Sequence, residues 1–207
     1  MEELRYKNMQ TPHLTFEEEI WADGRIICGV DEVGRGCLAG PVVAAAVIMP
    51  AGHKPIKGIR DSKRLSKKQR EELFDMILDN VADFGVGLVP ALEIDNVGIA
   101  PATKKAMSLA VKLLSLQPDM LLVDAVKIDE VVIEQKSIIK GDEVCYSIAC
   151  ASIVAKVFRD SIAIGLDHDF PKYSFPEHKG YGTKKHRAAI KKHGVTSQHR
   201  KSFRLNS

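Results

Sequence analysis

Arg25-Ile26-Ile27-Cys28-Gly29-Val30-Asp31-Glu32-Val33-Gly34-Arg35-Gly36-Cys37-Leu38-Ala39-Gly40-Pro41-Val42-Val43-Ala44-Ala45-Ala46-Val47-Ile48-Met49 is the stretch on which the fold turns. Arg25 to Val33 reads as a strand, because Ile26, Ile27, Cys28 and Val30 are apolar and a glycine-rich turn follows. Pro41 to Met49 is a nearly continuous apolar run, the pattern of a strand buried on both faces. The link Gly34 to Gly40 is too short for a crossover helix, so the two strands pair antiparallel.

Outward from this hairpin, Thr15 to Glu18 reads as a capping box opening a short helix through about Ala22. Ser66 caps a helix running to about Asn80, and Phe84 to Val89 is a third strand bounded by Pro90. A short helix near Leu92 to Asn96 precedes a longer one from about Ala102 to Leu116. Met120 to Val123 is a short apolar strand ending at Asp124, and Gln135 to Ile139 is a fifth strand, ending at Lys140-Gly141-Asp142. A long helix spans about Tyr146 to Leu166, Pro171 and Pro176 bracket a loop, and Thr183 caps a last helix to about His193, with Gly194 as its stop. Three strands followed by strands alternating with helices imply a five-stranded mixed sheet flanked by helices, an α/β fold with a C-terminal helical segment. The first strand lies centrally, and the later strands run parallel to it through right-handed crossovers.

The chain has 207 residues, enough for one sizeable α/β domain with an appendage. Its 45% hydrophobic and 28% charged residues exclude global disorder. No apolar run reaches the ~20 residues of a membrane span. Met1 to Gln10 is charged and lacks the apolar core of a secretory signal, so the cytoplasm is the expected compartment. Cys28, Cys37, Cys145 and Cys150 fall in no zinc spacing and read as small apolar fillers. The net charge of +3 hides an asymmetry: Lys172 to Ser207 carries +9 and the rest of the chain −6. A basic end beside an acidic body fits a polyanion partner and a site that gathers cations, although a solvated basic surface produces the same count.

Asp31-Glu32 is the first candidate for chemistry. Adjacent strand residues point to opposite faces, so one acid is buried unless the chain bends, as the glycines at 34 and 36 allow. Taken alone, an Asp-Glu pair at a strand end is commonly just solvated. Asp124 changes the balance, because it ends a second apolar strand, Leu121-Leu122-Val123. If those strands are parallel neighbours, Asp31 and Asp124 meet at their carboxyl ends, where α/β sheets gather their functional groups. Asp142, after Lys140-Gly141, is placed to join them, or is a turn acid beside glycine. Crowded carboxylates repel unless a divalent cation binds, and an all-oxygen ligand set suits Mg²⁺ or Mn²⁺.

Gly29-Val30-Asp31-Glu32-Val33-Gly34-Arg35-Gly36-Cys37-Leu38-Ala39-Gly40-Pro41 resembles the opening signature of ribonuclease HII. Asp61-Ser62-Lys63-Arg64-Leu65-Ser66, Val123-Asp124, Lys140-Gly141-Asp142, Ala151 to Asp160, His178 to Thr183 and His199 to Phe203 resemble that family's later motifs, in order. The resemblance runs from about Ile26 to Phe203; Arg35 favours type II over the related type III enzymes, and Val33 stands where Ala is more usual. It implies a ribonuclease H-like fold, with residues 1–24 as an N-terminal extension carrying a short helix, 25–168 as the catalytic domain and 169–207 as a basic helical segment packed on it. It implies an acidic quartet of Asp31, Glu32, Asp124 and Asp142 holding Mg²⁺ or Mn²⁺, catalytic and metal-binding at once. The activity implied is two-metal hydrolysis of the RNA strand of RNA·DNA hybrids and cleavage 5′ of ribonucleotides embedded in duplex DNA, leaving 3′-OH and 5′-phosphate ends. The partners implied are those nucleic acids, met by a protein that acts as a monomer without a membrane.

The substrate-binding set comprises Gly34, Arg35, Gly36, Lys63, Ser152, Lys156, Arg159 and Tyr181. RNA is told from DNA by its 2′-OH, and the glycines of the Gly34-Arg35-Gly36 turn let backbone groups approach a sugar. Similarity places Tyr181 at the RNA–DNA junction; without it, Tyr181 reads as a turn aromatic covering the last helix. Lys63, Lys156 and Arg159 are candidate phosphate contacts; Ser152, Lys156 and Arg159 fall at i, i+4 and i+7, on one helix face, which also reads as a solvated polar stripe. Lys184, Lys185, Arg187, Lys191 and Lys192 are placed to orient a duplex without reading its sequence. His178, His186, His193 and His199 show no metal spacing, so surface or phosphate roles are expected. Two other readings stay open at this point: a metal nuclease of the same fold, such as a resolvase, and a hybrid-binding protein without turnover.

Overall fold

A computed structural model of the chain, which describes residues 11–205, pairs β1 (Ile27–Val33) antiparallel with β2 (Val42–Ile48), Gly29 opposite Val47 and Val33 opposite Val43. β3 (Asp83–Val89) continues the antiparallel half, while β4 (Met120–Asp124) pairs parallel with β1, and β5 (Glu134–Ile138) parallel with β4. The sheet order is β3-β2-β1-β4-β5, with β1 central as the connections require.

In chain order the helices are α1 (Thr15–Trp21), α2 (Lys67–Leu78), α3 (Ala91–Val97), α4 (Ile99–Lys112), α5 (Gly141–Val144), α6 (Tyr146–Asp169), α7 (Phe175–His178) and α8 (Lys184–His193). They cover both faces of the sheet, which is why β2 reads as an unbroken apolar run. Ala45, Val47 and Met49 pack with Leu73 and Ile77 of α2 and Ile153 and Val154 of α6. Ala44, Ala46 and Ile48 pack on the other face with Ala102, Ala106, Met107 and Ala110 of α4. α6 lies directly on β1: a Cβ at Gly29 would fall 2.2 Å from the carbonyl carbon of Ser147, so any side chain there would drive the helix off the sheet. All four cysteines are buried and free, as expected of fillers.

Several boundaries move for identifiable reasons. The capping box at Thr15 does not form; Leu14 occupies the N-cap with no side-chain bond, and burial of Leu14 and Phe16 fixes that end of α1 instead. α4 starts at Ile99, after Gly98 turns the chain at φ +85°, and takes Pro101 into its first turn, where no amide is needed. It ends at Lys112 rather than Leu116 because the Asp83 carboxylate accepts the Ser115 and Leu116 amides at 2.6 and 2.7 Å. β1 starts at Ile27, β5 ends at Ile138, and α6 runs on to Asp169. The Pro171–Pro176 loop contains a 3-10 turn, Pro171–Tyr173, and the start of α7. Ser66 and Gln69 do form a capping box, and Thr183 caps α8 by accepting the His186 amide.

The N-terminal segment, of which residues 1–10 lie outside the described residues, is tied to the start of α6. The His13 amide donates to Val144 at 3.2 Å, Tyr146 donates back to His13 at 3.1 Å, and the buried Glu17 carboxylate accepts the Ser147 amide at 2.7 Å. A carboxylate there favours the positive end of the 24-residue helix.

Candidate active site

Because Val30 pairs with Val123 in the parallel β1–β4 ladder, the next residues, Asp31 and Asp124, stand side by side where β4 ends. Glu32 starts on the opposite face, but beside it β4 has already stopped. One carboxylate oxygen from each of Asp31, Glu32 and Asp124 lies within 4.8 Å of the other two. Asp124 is oriented by the Gly141 amide, which donates to its Oδ1 at 2.7 Å from the start of α5. Asp31 accepts the Glu32 amide at 2.7 Å and a hydrogen bond from Ser152. Asp142 is buried on the first turn of α5, 3.4 Å from Lys63 Nζ, and outside the group of three.

Burial pushes the Asp31 carboxyl far above the usual range, and the charges of Glu32 and Asp124 add to the push. Burial also raises Glu32, against the nearby Arg35 guanidinium, and Asp124, against the Gly141 amide. One buried and two partly buried acids held this close together fit a hard divalent cation, which reverses the cost of ionising them.

The Gly34-Arg35-Gly36 turn sits beside these acids on a support that sequence reading missed. Gly34 has φ +91°, and a Cβ there would lie 2.2 Å from Arg159 Nε. Arg159 is buried; it donates to the carbonyls of Lys179 at 2.6 Å and Ala39 at 3.2 Å. The expected phosphate contact is therefore corrected: this guanidinium holds two loops together under the turn. Arg200, fully buried, donates to Arg35 O at 2.8 Å and to Gly40 O at 3.0 and 2.9 Å. Tyr181 joins the same assembly. Leu38 donates to Gly180 O at 2.8 Å, Cys37 bridges Tyr181, and the half-exposed Tyr181 ring has Lys156 Nζ and Arg159 Cζ each 5.5 Å from its centre.

The i, i+4, i+7 stripe of α6 thus runs from the acids to Tyr181. Ser152 is buried, sharing a 3.0 Å contact with Ser62 Oγ, and Lys156 pairs with Asp160 at 2.7 Å. Lys63 is presented by Asp61, which accepts its amide at 2.9 Å at the head of a 3-10 turn, Ser62–Arg64. Arg35 is exposed, 3.4 Å from Glu32, and Gly36 faces open space. Within the basic cluster, Lys184, Lys191 and Lys192 are exposed, Lys185 pairs with Glu177, and Arg187 holds the chain end through the carbonyls of Arg204 and Leu205 at 3.0 Å.

The histidine expectation is overturned for three of the four. His178, His186 and His199 are buried against Tyr173 and Phe175, and His193 stays exposed. Burial pushes His186 and His199 down to about 4, helped by the charge of His178, while Glu177, Lys179 and Lys185 are the charged groups acting on His178 itself. As pH falls below 6.5 the unfolded chain takes up these protons and the folded chain does not, until about 4. Each histidine therefore lowers stability by about 1.4 kcal/mol per pH unit across that window. Glutamine does not titrate, so the stability advantage of the wild type over His199→Gln narrows between pH 6.5 and 4. A constant difference in denaturant unfolding across the window would refute this.

A family model described as ribonuclease HII matches residues 28–206. The chain is 52% identical over 192 residues to the ribonuclease HII of Acetivibrio thermocellus, covering 92% of this chain and 75% of the relative. Its backbone is similar to ribonuclease H2 from Pyrococcus horikoshii, with TM-score 0.73 and 25% identity over 87% of this chain and 94% of that one. It is likewise similar to the structure of the PCNA:RNase HII complex from Archaeoglobus fulgidus, with TM-score 0.74 and 26% identity over 88% of this chain and 96% of that one.

Proposed function

The chain belongs to the ribonuclease HII family, and on that premise we propose that Asp31, Glu32, Asp124 and Asp142 are its catalytic and metal-binding acids. As a member it is an endonuclease that cuts the RNA strand of RNA·DNA hybrids and ribonucleotides embedded in DNA. The observation that carries the site assignment is the convergence of Asp31, Glu32 and Asp124 within 4.8 Å. Their all-oxygen donor set suits Mg²⁺ or Mn²⁺. Such ions, when bound, supply an activated water and stabilise charge on the oxygens of a phosphodiester.

The protein's own groups do the rest. Asp31, buried and rigid, anchors the site; Glu32 and Asp124 close it, and Asp142 joins from α5 with Lys63 poised at its edge. The Gly34-Arg35-Gly36 turn offers backbone groups to the 2′-OH. Tyr181 packs its ring on the sugar after the ribonucleotide while its hydroxyl meets the 2′-OH. Lys156 faces the phosphates, Ser152 holds Asp31, and Arg159 holds the turn. Cleavage falls 5′ of the ribonucleotide and leaves 3′-OH and 5′-phosphate ends. Residues 25–168 form the catalytic domain, the basic 169–207 segment supplies Tyr181, and 1–24 extends the N-terminus. The proposed reading is of a monomer working in the cytoplasm; no helix among the described residues is long and apolar enough to cross a membrane.

The test uses DNA duplexes carrying one ribonucleotide or none, with Mg²⁺, Mn²⁺ or EDTA. Cleavage at the ribonucleotide alone, abolished by EDTA, is the expected result; cutting of all-DNA branched substrates, or binding without turnover, would contradict it. Tyr181→Ala is expected to lose junction preference while still cutting long hybrids. Unchanged discrimination would remove Tyr181 from recognition.

A further inference from the structure

The buried histidines lie behind Tyr181, and their hydrogen bonds define which nitrogen of each ring carries the proton. His199 Nδ1 is 2.9 Å from the Thr196 amide and 2.9 Å from Thr196 Oγ1, a hydroxyl that accepts the Gln198 amide at 3.2 Å and can donate to the ring. An amide can only donate, so this nitrogen is the lone-pair one and the proton of the neutral ring sits on Nε2. That Nε2 is 3.1 Å from Nε2 of His186. His186 must then accept there and carry its own proton on Nδ1, which lies 2.9 Å from the Tyr181 carbonyl oxygen, an acceptor only. His178 closes the set. It accepts the Gly180 amide on Nδ1 at 3.1 Å, donates from Nε2 to Tyr173 O at 2.8 Å, and stacks on His186 with ring centres 4.1 Å apart.

The two facing Nε2 atoms suggest a metal site at first sight. The Thr196 amide excludes it, because it leaves the proton, not a lone pair, on His199 Nε2. What remains is a directed chain: Thr196 amide, His199, His186, Tyr181 carbonyl. In this turn the Tyr181 amide also donates to His178 O at 2.9 Å and its carbonyl accepts the Thr183 amide at 2.8 Å, while its side chain meets Cys37, Lys156 and Arg159. Its ring projects half-exposed, so the orientation of its peptide, together with those side-chain contacts, sets where the ring stands.

We propose that His199 and His186 are positioning residues for Tyr181, a two-imidazole relay that fixes the Tyr181 carbonyl and thereby the ring it presents to the ribonucleotide. The proposal rests on the reading of Tyr181 given above. It gives a physical reason for His199, which opens the His199 to Phe203 motif, to occur in one chain with His186, three residues past the His178 to Thr183 motif.

Two measurements on the full chain test it. Long-range ¹⁵N–¹H imidazole spectra at pH 7.5 are expected to show His186 as the Nδ1–H tautomer, with His178 and His199 as Nε2–H. His186 protonated on Nε2 would overturn the relay. In kinetics on a duplex with a single ribonucleotide, His199→Leu and His186→Leu are expected to raise KM about tenfold, the scale of one lost hydrogen bond. kcat and Mn²⁺ affinity should stay within about twofold, since the acids lie elsewhere. His199→Gln keeps a donor toward His186, and His186→Asn keeps a donor toward Tyr181; both are expected to recover most of the KM. Wild-type KM in the Leu variants, or no recovery in the amide variants, would overturn the proposal. Should a Leu variant not fold, the tautomer assignment and the amide variants still decide. Tyr181→Ala in the same assay separates the two readings. If it leaves KM unchanged, the Tyr181 assignment fails; if it raises KM while the Leu variants do not, the relay alone fails.

Discussion

Asp124→Asn is expected to lower turnover at least about 10³-fold and, in the same molecule, to raise the melting temperature of the metal-free protein. Both follow from the crowding of Asp31, Glu32 and Asp124 within 4.8 Å. Burial and mutual repulsion hold all three carboxyls above their usual range, so the metal-free fold carries an unfavourable charge cluster. Asparagine keeps an oxygen for the Gly141 amide, now 2.7 Å from Asp124 Oδ1, and removes one charge. A relief of about 1 kcal/mol corresponds to a rise of about 2–4 °C for a chain of this size. Added Mn²⁺ should then stabilise the wild type more than the variant, because only ligand bound to the folded state contributes. Calorimetry in EDTA and in Mn²⁺, beside a single-turnover assay, checks this; a variant less stable than the wild type in EDTA would contradict it.

Arg200→Met has the largest expected effect on stability. The side chain is fully buried, and burial pushes its guanidinium down to about 10, so it is still charged at neutral pH. Methionine fills much of the volume but leaves Arg35 O and Gly40 O without the donors that now lie at 2.8 to 3.0 Å. Hydrogen bonds to a charged group contribute about 1.5–3 kcal/mol each, and buried carbonyls left bare cost more. A loss of about 3–5 kcal/mol, or on the order of 10 °C in Tm, is expected. Cleavage at a single ribonucleotide should fall about tenfold even at temperatures where the variant is folded, since the Arg35 peptide is no longer held. A Tm within about 2 °C of wild type would contradict this.

The sheet and the meeting of Asp31 with Asp124 were legible in the sequence because both depend on local pattern. An unbroken apolar run such as Val42 to Ile48 needs cover on two faces, and Asp124 at the end of Leu121-Leu122-Val123 has only one place to go in a parallel ladder. Arg159, Arg200 and the three buried histidines were not legible, because in a basic segment such residues read as solvated. The imidazoles of His186 and His178 bond the Tyr181 and Tyr173 carbonyls five positions back, whereas the arginines are buried on carbonyls far away in sequence, those of Arg35, Ala39 and Gly40. Glu17 was missed for the same reason, since its partner amide, Ser147, is 130 positions along the chain. Helix ends depended on single side chains, as at Asp83, which composition does not flag.

The most direct measurement is an anomalous difference map from crystals of the wild type soaked in Mn²⁺. The expected peak lies within about 2.0–2.6 Å of an oxygen from each of Asp31, Glu32 and Asp124. A map from protein active in Mn²⁺ that shows no peak among these acids, or that shows Asp31 and Asp124 turned apart, would contradict the account.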